Sequence, residues 1–318
     1  MKRVTVFLAL MLVMLTIFPL MARAEEDAER FDLTVTDEGN GFYRLNLDGV
    51  PENAGGVKFY TWSIVNSRDD IVVYEGKYEE DGSFSAVCDV FDHLNAGTYM
   101  TEAYIKNGRK LEKAAAVSYR TKVEVPEEGS RHGWYHIDDG YYYYGRSDGI
   151  LKKDTVVNGI SLDEDGRAVM DEYAKEKIPL LIAARLTVQN LTDPEDTLEE
   201  KQEKCYQYIA GCPYVLKEYP LKDYRGRYAC YDAHYANNIL DAYGDQTVRG
   251  GDCVALSAAL GYLYTELDFG TVYLNDDTQH AWIEVDGRTW DPLFTRSKGR
   301  QWYNRDGYTL VSRNSTEI

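Results

Sequence analysis

The sequence predicts a multidomain chain of mixed class: a β-sandwich, a short β-hairpin repeat segment, and then an α+β domain. Three observations carry this. Short alternating apolar runs broken by turn residues fill residues 31–125. Asp-Gly and Asn-Gly turns with aromatics between them recur over residues 132–169. From residue 171 helical periodicity takes over and ends in a strand–turn–strand pattern. At 318 residues the chain is long enough for each to be a separate unit.

Residues 1–24 read as a signal peptide. Lys2 and Arg3 precede an apolar run from Val4 to Leu20, and Ala22-Arg23-Ala24 has small residues at both cleavage positions. No cysteine follows closely, which argues against a lipoprotein, and no later run reaches membrane-spanning length. The expectation is a secreted protein, with no membrane contact after cleavage. The formal net charge of −18 becomes more acidic once the leader's basic residues are removed. Such a chain is not expected to bind nucleic acid or anionic lipid non-specifically.

Within residues 31–125, Phe42-Tyr43-Arg44-Leu45-Asn46-Leu47, Val57 to Ile64, Ile71 to Tyr74 and Thr98 to Ile105 are strand candidates. Their spacing predicts an antiparallel sandwich, with Trp62 and Cys88 in its core. The segment resembles the Bsp-like repeat of secreted streptococcal and clostridial proteins, which implies a spacer or adhesive module.

Pro126 to Ser130 reads as a linker. Next come Gly133-Trp134-Tyr135-His136-Ile137-Asp138-Asp139-Gly140 and the run Tyr141 to Tyr144, then a weaker copy from Val157 to Ala168 that lacks Trp and Tyr. Turns at this period are a repeat signature. The stretch resembles the cell-wall-binding (choline-binding) repeats of Gram-positive surface proteins. That resemblance implies a wall polymer as partner, choline or teichoic acid, with Trp134, Tyr142 and Tyr144 supplying rings for a cation–π cage. The other reading is a packing spacer between domains.

Pro179 within Ile178 to Ala184 fits a first helical turn or a kink. Thr197-Leu198-Glu199-Glu200 is a capping box, opening a helix with Cys205, Tyr208 and Ile209 towards a core. Asp232 to Tyr243 predicts a further helix, ended by Gly244. Then Gly250-Gly251-Asp252-Cys253 begins another: Asp252 caps it, and Leu256, Leu260, Leu263 and Leu267 mark one buried stripe. Cys253 falls in the first turn on that inward side, where unpaired N–H groups and the helix dipole favour a thiolate.

Downstream, His280 to Val285 alternates as a strand, Asp286-Gly287 is a two-residue hairpin turn, and Arg288 to Asp291 returns. Closing that turn sets Val285 opposite Arg288, hence Trp282 opposite Asp291 and His280 opposite Leu293. His280 and Asp291 become diagonal neighbours on one face, within reach of a His–carboxylate hydrogen bond. A cysteine at a helix start, a histidine and an aspartate make a nucleophile, a base and an orienter.

Gly251-Asp252-Cys253, His280-Ala281-Trp282 and Trp290-Asp291-Pro292, in this order, resemble the core of the bacterial transglutaminase-like superfamily, which shares its Cys-His-Asp logic with papain-type proteases. The resemblance is close over residues 195–295 and implies a papain-like α+β core over residues 171–318. It also implies a helix ending before a Tyr, here Tyr214. The chemistry implied is acyl transfer or hydrolysis at amide bonds of proteins or peptides, acting at the cell surface without a cofactor. The second oxyanion donor is open, with Gln246 and Tyr243 as the residues considered. The rival expectation is a non-catalytic surface or adhesion protein with a vestigial triad.

Five cysteines in an exported chain flag an unpaired thiol, for which Cys253 is the choice; Cys88, Cys205, Cys212 and Cys230 are left for disulfides. No Cys-x-x-Cys spacing suits zinc, and five scattered histidines suggest no metal site. Asp276 and Asp277 read as a solvated loop rather than a calcium site.

Overall fold

The computed structural model describes residues 31–123, 129, 131–217, 229–277, 279–307 and 311–318. Residues 1–24, read above as a signal peptide, and most of residues 126–130, read as a linker, lie outside them. The chain divides into two compact units. The first takes in the described part of Met1–Ile64 with Ile71–Val90 and Gly97–Thr121; the second comprises Val65–Asp70, Phe91–Ala96 and Lys122–Ile318.

Among the described residues, eight strands build the first unit: β1 (Asp32–Gly39), β2 (Phe42–Asp48), β3 (Val57–Ser63), β4 (Val72–Glu75), β5 (Lys77–Tyr78), β6 (Phe84–Asp89), β7 (Thr98–Asn107) and β8 (Lys110–Arg120). They form two four-stranded antiparallel sheets, in the orders β1-β2-β6-β5 and β4-β3-β7-β8. Alternation along each strand decides what is buried: Tyr43, Leu45 and Leu47 from β2, and Tyr99, Ala103 and Ile105 from β7. The inner faces meet where Tyr43 packs on Tyr119 at 5.7 Å between ring centroids, and where the Tyr119 hydroxyl reaches Cys88 Sγ. Trp62 and Cys88 are both buried.

The second unit opens with two hairpins, β9 (Gly133–Ile137) with β10 (Gly140–Tyr144) and β11 (Val156–Val157) with β12 (Ile160–Ser161). Helices α1 (Glu172–Leu191), α2 (Leu198–Gly211), α3 (Tyr231–Leu240) and α4 (Cys253–Leu267) follow. Then come β13 (Val272–Asp276), β14 (Ala281–Val285), β15 (Arg288–Trp290), the short α5 (Pro292–Lys298), β16 (Arg305–Asp306) and β17 (Asn314–Glu317). The last five strands form one antiparallel sheet in the order β16-β15-β14-β13-β17. Helix α4 packs on β13 and β14 and, among the described residues, against the four other α-helices.

That position explains its sequence. From Cys253 to Thr265 it has no charged residue, and every one of those side chains is buried. The expected single stripe is therefore wrong: α4 is buried on all sides, and only the end of the helix, with Leu267, is partly exposed. Small residues at Ala255, Ala258, Ala259 and Gly261 let neighbours approach from every direction. Each fully buried leucine contributes about 2 kcal/mol of transfer free energy.

Three further expectations need correction. The hairpins are not a separate module, because Trp134, Tyr143, Ile160 and Leu162 belong to the same hydrophobic core as Leu181, Ile209 and Leu260. Of the two places read for Pro179, the first turn does not hold: it sits in the interior of α1, the position of the other reading, while the first turn opens at the Asp171 cap, whose carboxylate accepts from Ala174 N. Helix α3 stops before Gly244, because Asp241 adopts the left-handed conformation at φ 52°. The capping box at Thr197 and Glu200 is formed, with Cys205, Tyr206 and Ile209 buried beneath it and Tyr208 only partly so.

Candidate active site

The Asp286-Gly287 turn has φ of 50° and 75°, the left-handed pair that a two-residue hairpin demands. It sets Val285 opposite Arg288, Glu284 opposite Thr289 and Ile283 opposite Trp290. Pairing stops there. Asp291 leaves the strand and becomes the N-cap of α5, with Pro292 at the first helical position, so Trp282–Asp291 and His280–Leu293 are not ladder pairs.

The structure nonetheless brings His280 and Asp291 together. His280 Nε2 lies 2.6 Å from Asp291 Oδ2, and Asp291 is fully buried at 0% exposure. The other carboxylate oxygen accepts from Phe294 N at 2.8 Å. The Asp291 carbonyl accepts from the Tyr206 hydroxyl at 2.8 Å. With Nε2 donating to a carboxylate, the imidazole's Nδ1 is left as its acceptor.

The ring is also fixed from outside the hydrogen bond. Phe294 stacks on it at 4.1 Å and 13° between planes. Asp277 Oδ1 accepts from Gln279 N at 2.9 Å and from His280 N at 2.7 Å, which sets where β14 begins. Phe294 was not singled out from the sequence, and Asp277 was read there only as part of a solvated loop. Asp277 followed two places on by a polar residue is an Asx-turn signal, and Phe294 lies three residues after the capping Asp291. The expected solvated acid loop is incorrect for Asp276, which is buried in β13 and accepts from Asn314 Nδ2.

Cys253 opens α4 at 9% exposure, with Sγ 4.0 Å from the carbonyl of Gln279, the residue before His280. Its electrostatics differ from those expected. Burial pushes the thiol up to about 12, the neighbouring Asp252 carboxylate pushes in the same direction, and the Ala281 and Val254 N–H groups oppose them. The helix start does not favour a thiolate here because Asp252 occupies its N–H groups, accepting from Val254 N at 3.0 Å and Ala255 N at 3.1 Å. The same carboxylate adds a negative charge beside the sulfur. Both effects favour the protonated thiol.

Tyr214 is half exposed and bridges to Gly251, just before the cap. Its phenol is pushed up by burial and then by Cys253 and Asp252. The two residues considered as oxyanion donors are engaged elsewhere: the Tyr243 hydroxyl donates to the Glu176 carbonyl at 3.1 Å, and the Gln246 side-chain amide donates to Asp245.

None of the five cysteines is in a disulfide, so the pairings left open for Cys88, Cys205, Cys212 and Cys230 are not made. The proposed choline cage is also not assembled. Cross-strand pairing sets Trp134 opposite Tyr143, so Tyr142 and Tyr144 project from the opposite face of that hairpin. Trp134 and Tyr144 are both fully buried, and the Trp134 Nε1 donates to Asn158 Oδ1 at 3.0 Å. Two rings sealed in a core cannot offer faces to a head group. Among the described residues, no cluster of three or more His, Cys, Asp or Glu could hold a metal ion, and no helix is long and apolar enough to cross a membrane.

No family model matches the chain, and no curated protein matches it. Among solved structures, a polysaccharide deacetylase from Bacillus cereus is similar at 12% identity and a TM-score of 0.25. That likeness covers 29% of this chain and 30% of the other, and carries no argument about fold or chemistry.

Proposed function

We propose that the chain is an exported, transglutaminase-like cysteine enzyme with a papain-like Cys-His-Asp site, acting on amide bonds of proteins or peptides at the cell surface. The observation that carries this reading is the buried 2.6 Å pair of His280 Nε2 and Asp291, beside a strand start that abuts the Cys253 thiol. Cys253 attacks the amide carbonyl while its proton passes to His280 Nδ1. The imidazolium, held by Asp291, then protonates the leaving amine as the C–N bond breaks. A thioacyl enzyme remains. Water acting on it gives hydrolysis, and a lysine amine gives an isopeptide cross-link. Because burial and Asp252 favour the protonated thiol, this reading has proton transfer to His280 accompany the attack.

A second reading, a non-catalytic surface-binding protein with a vestigial triad, is favoured by one observation. Burial and Asp252 both hold the Cys253 proton on.

Site-resolved alkylation by iodoacetamide near neutral pH separates the two. The enzyme reading expects Cys253 to react faster than the four other buried cysteines, and to slow by about 100-fold in His280→Ala, the scale of general-base assistance. A Cys253 no faster than the others and indifferent to the mutation sinks the enzyme reading.

A further inference from the structure

A cavity of about 540 Å³ lies in the second unit, where the β9–β10 hairpin, α1, α2 and the end of α4 converge. That volume is in the range of small-molecule sites. None of the residues of the Cys253 site lines it. Its walls include Arg131, Arg146, Arg185 and Lys201 against only Glu266 and Asp268. In a chain with 53 acidic and 35 basic residues, a local excess of positive charge runs against the composition.

The arginines are held in place. Arg185 is 3% exposed and donates to the carbonyls of Trp134 at 3.1 Å and Phe91 at 2.9 Å, and to Gln189 Oε1 at 3.1 Å. All three are uncharged acceptors, so its charge is not cancelled by direct pairing with a carboxylate there. Arg185 also lies over the Tyr135 ring at 4.2 Å. Arg146 pairs with Glu266 at 2.9 Å. Its Nε, however, is buried and has no hydrogen-bond partner among the described residues. A buried guanidinium N–H left without an acceptor is costly, and an oxyanion in the cavity would supply one. Burial also pushes Glu266 towards its neutral form, against the pull of Arg146 and Arg185.

We propose that this cavity binds a small ligand through an oxyanion group, a carboxylate or a phosphate, received by Arg146 with Arg131 and Lys201 at its rim. Guanidinium groups fixed by packing suit such a group because their planar forks match its oxygens. The site is independent of the proposed cysteine chemistry.

The test titrates the full chain with inorganic phosphate and, separately, with citrate, against chloride at matched ionic strength, reading the thermal midpoint. A saturable rise with either probe is expected. Phosphate alone identifies a phosphate-bearing ligand, and citrate alone a carboxylate. The binding midpoint should weaken by about tenfold or more in Arg131→Gln/Lys201→Gln, equivalent to about 1.4 kcal/mol. Arg146→Lys, which keeps the charge and removes the orphan donor, should weaken it as well. Cys253→Ala should leave binding unchanged. No saturable rise with either oxyanion overturns the proposal. So does a rise that survives undiminished in both cavity variants, which would be the general stabilisation that excluded salts give any fold.

Discussion

His280 Nε2 and Asp291 Oδ2 are 2.6 Å apart, and the same aspartate caps α5 through its other oxygen on Phe294 N. One carboxylate thus does two jobs, and two substitutions separate them. Asn is as good an N-cap as Asp, so Asp291→Asn should change stability little while lowering Cys253 reactivity steeply, because the amide can stabilise the wrong imidazole tautomer. Asp291→Ala should lose reactivity and also about 1–2 kcal/mol of stability through the missing cap. Urea unfolding and Cys253 alkylation, read on both variants, check this. Equal stability loss in the two variants would refute the division.

Asp252 is the second lever. It caps α4 and raises the adjacent thiol. Asp252→Asn keeps a capping oxygen and removes the charge, so Cys253 should ionise more readily and alkylate faster by up to about tenfold at fixed pH, the change one pKa unit gives. Slower alkylation in a folded Asp252→Asn variant would show that the carboxylate assists the thiol.

Much of this site was legible because a two-residue turn fixes register. Asp286-Gly287 alone set Val285 opposite Arg288 and so carried His280 and Asp291 to the same neighbourhood. The route Asp291 takes there was written in the sequence as well. Asp-Pro is an N-cap followed by a first helical position, which ends a strand instead of extending it. The thiol's environment was not legible, since burial of Cys253 depends on packing from all sides of α4, and a stripe of leucines says nothing about the opposite face. The hairpin rings show the same limit from the other direction: Trp134 and Tyr144 look like binding aromatics until the shared core of hairpins and helices covers Trp134, and Tyr144 is buried on the other face of the hairpin against Tyr135.

That burial makes a clear prediction for Trp134. As a packed core residue its replacement by Ala should destabilise the second unit by about 3–5 kcal/mol, whereas a ring displayed for ligand binding would cost almost nothing. Tyr142→Ala, at a part-exposed position, should lie well below that figure. The comparison is made by urea unfolding followed by the remaining tryptophans, of which Trp282, Trp290 and Trp302 all report on the second unit. A Trp134→Ala variant of unchanged stability would reverse the correction.

The last prediction concerns pH. Burial pushes the thiols of Cys205, Cys230 and Cys253 from an ordinary value of 9.0 up to about 12. Between those limits the unfolded chain releases protons that the folded chain retains, so the folded state binds more protons and stability falls as pH rises. The contribution is intact below pH 9 and is lost progressively towards 12. Cys205, completely buried in α2, gives the clearest case, with a slope of up to about 1.4 kcal/mol per pH unit. Urea midpoints should therefore decline above pH 9, and decline less steeply in Cys205→Ala, whose small cavity lowers stability by the same amount at every pH. A Cys205→Ala curve parallel to the wild type across this range would show that the thiol ionises no less readily in the folded chain than in the unfolded one.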